Sequence, residues 1–261
     1  MLTLPDPIDT ADIAVFGGSG FYELLTDARS VPIDTPYGPP SEPPLVGTFG
    51  DRRVAFIPRH GVDHRIPAHM VNYRANIWAM AALRVRAIIA PFACGALRAD
   101  LEQGDLMVVD QQVDRTHSRH GTFFDGPVTI HTAFADPYDP GLSAALADAA
   151  ERCGIRVHRG GTVVVIPGPR FSTRAESASY QAAGWDLVNM TQAPEAALAA
   201  EAGIPFVGLG LVTDHDVGVR DDPDRPPVTA DEVFAVLHRL ADTVREVLAA
   251  ALPALPLADT H

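Results

Sequence analysis

The sequence predicts a single α/β domain in which helices flank a central sheet. Short apolar runs rich in Val, Ile and Ala alternate with segments whose apolar residues recur three and four positions apart, which is the pattern of buried strands and amphipathic helices. With 261 residues, of which 47% are hydrophobic and 20% charged, the chain can bury a sizeable core. Neither an internal repeat nor an interdomain linker interrupts the pattern, so residues 1–261 are interpreted as one domain.

The two periods predict the regular elements. We predict strands near Ile13–Phe16, Val54–Pro58, Ala87–Pro91, Leu106–Asp110, Thr162–Ile166, Leu187–Met190 and Phe206–Thr213. We predict helices at Val71–Leu83, Gly141–Cys153, Thr173–Ala183, Ala193–Gly203 and Ala230–Leu252. The proline-rich stretches Pro32–Pro44 and Asp221–Pro227 show neither period, so both are predicted to be loops, and the second has the place of a lid before the last helix.

The composition limits the partners. The formal net charge is −13 and no block of Lys and Arg occurs, so neither a nucleic acid polymer nor an anionic membrane is expected, although a small anion can bind a local basic site. The sequence lacks a basic start followed by an apolar stretch and any run of about 18 apolar residues, so we expect a cytoplasmic protein. Cys94 and Cys153 form neither a CxxC pair nor a zinc set and are expected to be reduced thiols.

A glycine-rich segment, Phe16-Gly-Gly-Ser-Gly20, follows the first predicted strand. Its backbone N–H groups can converge on an anion, with the Ser19 hydroxyl among them. The segment lacks the third glycine of a dinucleotide-binding loop and the lysine of a P-loop, so neither of those ligands is supported. A plain tight turn is the alternative.

Two further strand ends carry groups that bind anions. Arg59 and His60 follow the second predicted strand, and a guanidinium can hold an oxyanion through two hydrogen bonds. Pairing of Arg59 with a surface carboxylate is the alternative. Thr191 ends another buried strand and can contact the same anion or cap the following helix, two compatible roles. Glu195, in the first turn of that helix, is expected to favour the helix dipole.

Asp214 and Asp216 end the last predicted strand two positions apart, so in a regular strand both carboxylates face one side. A purine leaving group needs a proton at N7, and the N6 amino group of adenine needs an acceptor. A close acid pair suits that base, and a neutral Asp with a raised pKa would be the acid. Metal ligation by both aspartates with His215, or a solvated turn, are the alternatives.

Ring-bearing residues occur in two further segments. Phe171 belongs to the rigid turn Gly168-Pro-Arg-Phe-Ser172 and could cover one face of a base or be a core residue. His117 and His120 lie three positions apart without an obvious third ligand, so solvated loop histidines are a better interpretation than a metal pair.

Taken together, these segments resemble the 5′-methylthioadenosine phosphorylase branch of the trimeric purine nucleoside phosphorylases over roughly residues 12–252. The segments that carry the resemblance are Phe16-Gly-Gly-Ser-Gly20, Pro58-Arg-His-Gly61, Val71-Asn-Tyr-Arg-Ala-Asn-Ile-Trp-Ala79, Gly168-Pro-Arg-Phe-Ser-Thr-Arg-Ala-Glu-Ser177, Asn189-Met-Thr191 and Thr213-Asp-His-Asp216. The resemblance implies a three-layer α/β fold with a mixed central sheet flanked by helices, and a homotrimer. It also implies a purine nucleoside and phosphate as the two small-molecule partners, with phosphate as a co-substrate and no metal or organic cofactor.

The resemblance also assigns residues. It places Ser19, Arg59, His60, Phe92, Ala93 and Thr191 around phosphate. It places Met190 beside the ribose, with Phe171, Ser172, Asp214, His215 and Asp216 around the base, and Asp214 and Asp216 as the catalytic acids. His131 matches a position that reaches from a neighbouring subunit towards the alkylthio end, and Ala230 and Phe234 match positions that line the 5′ pocket.

The activity implied by the resemblance is phosphorolysis of 5′-methylthioadenosine to adenine and 5-methylthioribose 1-phosphate. Family members that use 6-oxopurines have Asn where this chain has Asp214, so the acid favours a 6-aminopurine. Phe92 replaces a threonine on the phosphate side, while Ala230 and Phe234 stand where Val and Leu are usual. A broader purine nucleoside phosphorylase acting on adenosine or 5′-deoxyadenosine, a nucleosidase that uses water and a non-catalytic nucleoside-binding module remain alternatives.

Overall fold

A computed structural model of the chain describes residues 2–17, 25–220 and 229–257. The strands of this part are β1 (Ile13–Gly17), β2 (Thr26–Ser30), β3 (Leu45–Phe49), β4 (Arg52–Pro58), β5 (Ala87–Ala96), β6 (Leu106–Val108), β7 (Gln111–Asp114), β8 (Val157–Arg159), β9 (Thr162–Val165), β10 (Leu187–Asn189) and β11 (Phe206–His215). Its α-helices are α1 (Tyr73–Ala82), α2 (Pro140–Arg152), α3 (Arg174–Ala182), α4 (Gln192–Glu201) and α5 (Ala230–Ala251). This order confirms the predicted α/β class.

The strands form one mixed sheet that branches at β5. On one edge of β5, residues 87–89 pair in parallel with β1, whereas Gly95 and Ala96 pair in antiparallel with β10. On its other edge, β5 pairs in parallel with β11 along most of its length. The strands β4, β3 and β2 continue the sheet beyond β1, and β9 and β7 continue it beyond β10. The predicted mixed sheet is therefore confirmed, and its branch point leaves a gap beside the middle of β5.

Helices cover both faces of the sheet. The helices α1 and α4 pack on one face, where Ile77 and Met80 of α1 are completely buried. The helices α2 and α5 pack together on the other face through residues such as Leu146 and Val247. Burying an aliphatic side chain of this size contributes about 1.5–3 kcal/mol, so these two apolar layers fix the helices to the sheet.

The predicted elements agree with this architecture except at four missed strands and at the end of β5, which continues from the predicted Pro91 to Ala96. Each predicted helix is present within two residues of its predicted bounds. The strands β2, β3, β7 and β8 were not predicted. All five residues of β2 are exposed, so this strand carries no apolar period. The loop at Pro32–Pro44 is confirmed, and Asp221–Pro227 lies outside the described residues.

Two other expectations concern the membrane and the cysteines. Within the ranges given above, no helix has the length and apolar character needed to cross a bilayer. Cys94 is a buried free thiol and Cys153 a half-buried one, as the sequence suggested.

Candidate active site

Several of the predicted site residues lie at or beside the branch point of the sheet. Within the described part of the chain, one edge of β5 has no neighbouring strand over residues 90–94. Side chains satisfy two carbonyls there: Arg59 Nη1 donates to Pro91 O at 3.0 Å, and Asn189 Nδ2 donates to Ala93 O at 3.0 Å. Because the N–H and C=O of one strand residue point to the same side, the Ala93 N–H also points into this gap. The gap thus holds a backbone donor next to a guanidinium.

Arg59 belongs to a buried ion pair. Its Nε and Nη2 donate to the two carboxylate oxygens of Glu195, both at 2.8 Å, and Arg59 is 3% exposed while Glu195 is completely buried. Burial raises the pKa of Glu195, and the charge of Arg59 opposes that rise. The pairing left open for Arg59 is therefore present, but in the core. Glu195 also lies in the first turn of α4, where the sequence placed it. Two of the five guanidinium N–H groups remain for an anion.

His60 is a neutral imidazole at the same end of the site. Its Nδ1 lies 2.9 Å from Ile66 O, so Nδ1 carries the proton and Nε2 is left as an acceptor. Burial, followed by the nearby His64 and Arg59, lowers the pKa of His60 to about 3. The ring stacks on His64 at 4.1 Å between centroids, and His64 makes an edge contact with Phe234 at 4.8 Å. His60 can orient a ligand, but it adds no positive charge near neutral pH.

The turn after β10 presents a hydroxyl that is free of helix capping. Asn189 Oδ1 accepts from the backbone N of Thr191 at 2.7 Å and of Gln192 at 2.9 Å, so Asn189 supplies the acceptor that α4 needs at its start. The Thr191 side chain makes no capping hydrogen bond, although Thr191 occupies the N-cap position. Its hydroxyl is 3.4 Å from Asn189 Oδ1 and can therefore turn towards a ligand.

Arg119 holds the same turn from outside. Its Nη1 donates to Met190 O at 2.8 Å and to Ala193 O at 2.6 Å, and its Nη2 donates to Pro167 O at 2.7 Å. Its guanidinium carbon also lies 5.1 Å from the centre of the Tyr73 ring. The long segment after β7 is thereby joined to the ends of β9 and β10.

Asp214 and Asp216 come together around Gly95. Their relative exposures are 7% and 6%, so the solvated turn considered from the sequence is wrong. A Cβ placed on Gly95 would lie 3.3 Å from Asp214 Oδ2 and 3.5 Å from Asp216 Cβ, so both aspartates lie close against this glycine. The register shifts between Val212 and Asp214, and Thr213 Oγ1 donates to Asp214 Oδ1 at 2.6 Å.

Asp216 has an unsatisfied carboxyl oxygen. Burial raises its pKa, while the hydroxyls of Ser177 and Ser172 oppose the rise. Neither Asp216 Oδ2 nor Ser172 Oγ has a hydrogen-bond partner of good geometry among the residues with described positions. Such a buried acceptor and donor are costly without a partner, so they suit a polar ligand.

The contacts of His215 bear on the metal site that the sequence left open. His215 Nε2 lies 2.8 Å from Leu101 O, which engages this ring nitrogen away from the two carboxyl groups. Across the described ranges, no three His, Cys, Asp or Glu side chains are grouped as a metal would require. His117 and His120 are exposed loop residues.

The turn at Gly168 lies against Met190 and carries Phe171. A Cβ on Gly168, whose φ is +64°, would lie 2.5 Å from Met190 Sδ, so this contact requires glycine. The Phe171 side chain is 39% exposed, which rules out the alternative of a core residue and leaves its ring available to cover a base.

The remaining predicted residues differ in their surroundings. Phe92 is 3% exposed and lies against Gly210, so its ring packs in the core and does not fill the gap. Ala230 is exposed at the start of α5. His131 is exposed between β7 and α2, near the exposed Ile130. Ser19 lies outside the described residues.

Sequence reasoning missed three contributors, namely the partner role of Glu195, the ring of His64 and the guanidinium of Arg119. Glu195 pairs with a residue 136 positions away, a separation for which a single sequence gives no signal. His64 follows His60 by four positions, and Arg119 lies between His117 and His120, so both stood beside residues that were considered for other reasons.

Comparisons with known proteins agree with this geometry. Residues 12–253 match the family described as "Phosphorylase superfamily". The chain is 48% identical to an S-methyl-5'-thioadenosine phosphorylase of Mycolicibacterium smegmatis, over 95% of this chain and 93% of the relative. It is 46% identical to a purine nucleoside phosphorylase of Streptomyces coelicolor, over 94% and 90%. A solved methylthioadenosine phosphorylase from Schistosoma mansoni in complex with adenine superposes with a TM-score of 0.89 at 35% identity, covering 95% of this chain and 93% of that one.

Proposed function

The chain belongs to the phosphorylase superfamily, and on that premise we propose that it cleaves 5′-methylthioadenosine with phosphate to give adenine and 5-methylthioribose 1-phosphate. The observation that carries the proposal is the buried acid pair around Gly95, which follows directly on β5 from the gap where the Arg59 guanidinium donates to Pro91 O. Relatives named S-methyl-5'-thioadenosine phosphorylase support the substrate, as does the adenine in the Schistosoma mansoni complex.

The acid pair recognises the base. Asp214 faces N7 and protonates or stabilises it as the glycosidic bond stretches, while Asp216 Oδ2 accepts from the N6 amino group. Both roles fit carboxyl groups that are almost fully buried, because a desolvated acceptor left without its donor penalises the wrong base. Phe171 covers one face of the ring, and the Ser172 hydroxyl supplies a further polar contact.

Phosphate binds on the opposite side of the sugar. The remaining N–H groups of Arg59, the backbone N–H of Ala93 and the hydroxyl of Thr191 form its donors, and His60 Nε2 can accept from a protonated oxygen. The sequence resemblance adds the hydroxyl of Ser19, which lies outside the described residues. One phosphate oxygen bonds to C1′ while the C1′–N9 bond breaks and its electron pair passes to the purine. The cation-like sugar is stabilised by the phosphate charge, so positioning and electrostatics supply the rate without a covalent enzyme intermediate. Phosphate is the co-substrate, and the reaction needs no organic cofactor or metal.

The 5′ end of the substrate lies near the start of α5. Phe234 and His64 form an aromatic corner there, which favours an apolar alkylthio group over a free hydroxyl. Ala230 is small and exposed, and leaves more room than the Val usual in the family. This room, together with the relative named purine nucleoside phosphorylase, supports a second candidate function on adenosine or 5′-deoxyadenosine.

We further propose a cytoplasmic homotrimer in which His131 of each chain reaches the 5′ pocket of a neighbour. The side chains of Val128 and Ile130 are 63% and 41% exposed, shortly before His131 in the chain, and suit burial against another subunit. A molar mass of three chains by light scattering is the expected result, and a monomer at working concentration would contradict it.

The test of the proposed function is adenine release from 5′-methylthioadenosine in buffers with and without phosphate. We expect turnover to require phosphate, and hypoxanthine nucleosides to be poor substrates. An unchanged rate without phosphate would identify a hydrolase, and binding without turnover in saturating phosphate would identify a binding module. The same assay with adenosine and 5′-deoxyadenosine measures the breadth at the 5′ end.

A further inference from the structure

We propose that Arg119 supplies the net positive charge of the phosphate end and, as a positioning residue, holds the turn that carries Thr191. The inference rests on the proposed function, because it concerns the same anion. It follows from three observations: the cancelled charge of Arg59, the unpaired charge of Arg119 and the three carbonyls to which Arg119 is bound.

Arg59 contributes little net charge. Its guanidinium is matched by the Glu195 carboxylate through two hydrogen bonds of 2.8 Å, and the two side chains are 4% and 0% exposed. Such a pair is neutral as a unit, and its field largely cancels at a distance. His60 is also neutral near pH 7, since its pKa is lowered to about 3. A phosphate dianion in the gap therefore needs another cation to balance its charge.

Arg119 is the cation without a counterion at this end. Its three hydrogen bonds all go to carbonyl oxygens, and no carboxylate of the described residues forms an ion pair with it. Its Nε is buried and also lacks a partner among those residues. The positive charge of Arg119 acts on two groups of the site. It opposes the rise in the pKa of Glu195 that burial causes, and it contributes to the lowered pKa of His60. Carbonyl dipoles hold the guanidinium in place but do not neutralise it.

The same contacts fix the geometry of the turn. Met190 O and Ala193 O, which lie on either side of Thr191, both accept from Nη1 of Arg119. Pro167 O, immediately before the Gly168 turn, accepts from Nη2. The Arg119 side chain thus joins the turn that carries Thr191 to the turn that carries Phe171. A lysine at this position could supply the positive charge but could not bond to all three carbonyls in this way.

The test compares Arg119→Met and Arg119→Lys with wild type. Phosphate affinity is measured without turnover, from the rise in melting temperature with phosphate concentration, and adenine affinity is measured in the same way. We expect Arg119→Met to weaken phosphate binding at least about tenfold, because the variant removes a unit positive charge near the anion. We expect adenine affinity to change less than about threefold and the KM for phosphate to rise with its Kd. Arg119→Lys should recover most of the phosphate affinity and less of the kcat.

Arg74→Met is the matched control. Arg74 also lies over a tyrosine ring, 4.7 Å from the centre of Tyr37, but it is paired with Asp125. This variant should leave phosphate affinity unchanged. Unchanged phosphate affinity in Arg119→Met would overturn the inference. If Arg119→Met fails to fold, a loss of phosphate affinity of about tenfold or more in Arg119→Lys would overturn it, because lysine keeps the positive charge. A wild-type enzyme that binds phosphate but releases adenine equally fast without it would contradict the proposed function alone.

Discussion

The two ends of the site differ in how their buried charges are satisfied. At the proposed phosphate end, the Arg59 and Glu195 side chains bond each other. At the proposed base end, Asp216 Oδ2 and Ser172 Oγ lack a hydrogen-bond partner of good geometry among the described residues, although the Ser172 hydroxyl opposes the rise in the pKa of Asp216. A buried ion pair keeps its geometry at all times, whereas an unsatisfied buried group gains most when the correct ligand arrives. The phosphate end is therefore built for a fixed position and the base end for discrimination.

The largest expected effect comes from breaking the pair at the phosphate end. Glu195→Gln leaves the Arg59 guanidinium buried without a counterion, so we expect the free energy of unfolding to fall by about 3–5 kcal/mol. Denaturant titration measures it. Glu176→Gln is the control, because the Arg170–Glu176 pair is partly exposed and such pairs contribute up to about 1 kcal/mol. Equal losses in the two variants would show that burial of the Arg59 pair carries no special weight.

A smaller stability effect but a large activity effect is expected at the base end. Asp214→Asn replaces an acid by an amide of the same size, so phosphorolysis of 5′-methylthioadenosine should fall by about 10²–10⁴-fold in kcat/KM. Activity on a 6-oxopurine nucleoside should fall much less, since an amide can donate to O6. Asp216→Asn, assayed in parallel, should raise KM more than it lowers kcat. Full activity of Asp214→Asn on methylthioadenosine would refute the acid assignment.

The smallest effect concerns His60 and depends on pH. The unfolded chain takes up a proton near the ordinary pKa of 6.5, whereas the folded imidazole takes one up only near pH 3. Stability therefore falls as pH decreases from 6.5 towards 3, by at most about 1.4 kcal/mol per pH unit. His60→Gln should remove this slope, measured as the difference from wild type between pH 7 and pH 5. His120→Gln, at an exposed position, should keep it.

The sequence and the structure agree where a local pattern carries the information. Apolar strands such as β1 and β11 and the five helices could be predicted because their burial repeats at a fixed period. The exposed β2 has no such period. The end of β5 was missed for another reason: Pro91 resembles a strand end, yet β11 continues beside it to Ala96.

The residues of the site also divide into those with a local sequence pattern and those without one. Arg59, Thr191 and Asp214 were predictable because each follows an apolar strand, and strand ends gather at one place in such a sheet. The partner of Arg59 and the role of Arg119 were not, because they depend on contacts 136 and 71 positions apart in the chain. Contacts between residues so far apart are set by the three-dimensional fold, and the residues that make them show no recurring spacing in the sequence.

Phosphorus NMR of the reaction mixture tests the central claim most directly, because it detects the bond that phosphorolysis makes. With 5′-methylthioadenosine and phosphate, we expect a sugar 1-phosphate signal to grow in step with adenine, one molecule for each molecule of base. Release of adenine without organic phosphate would show that water attacks C1′, and would contradict the account.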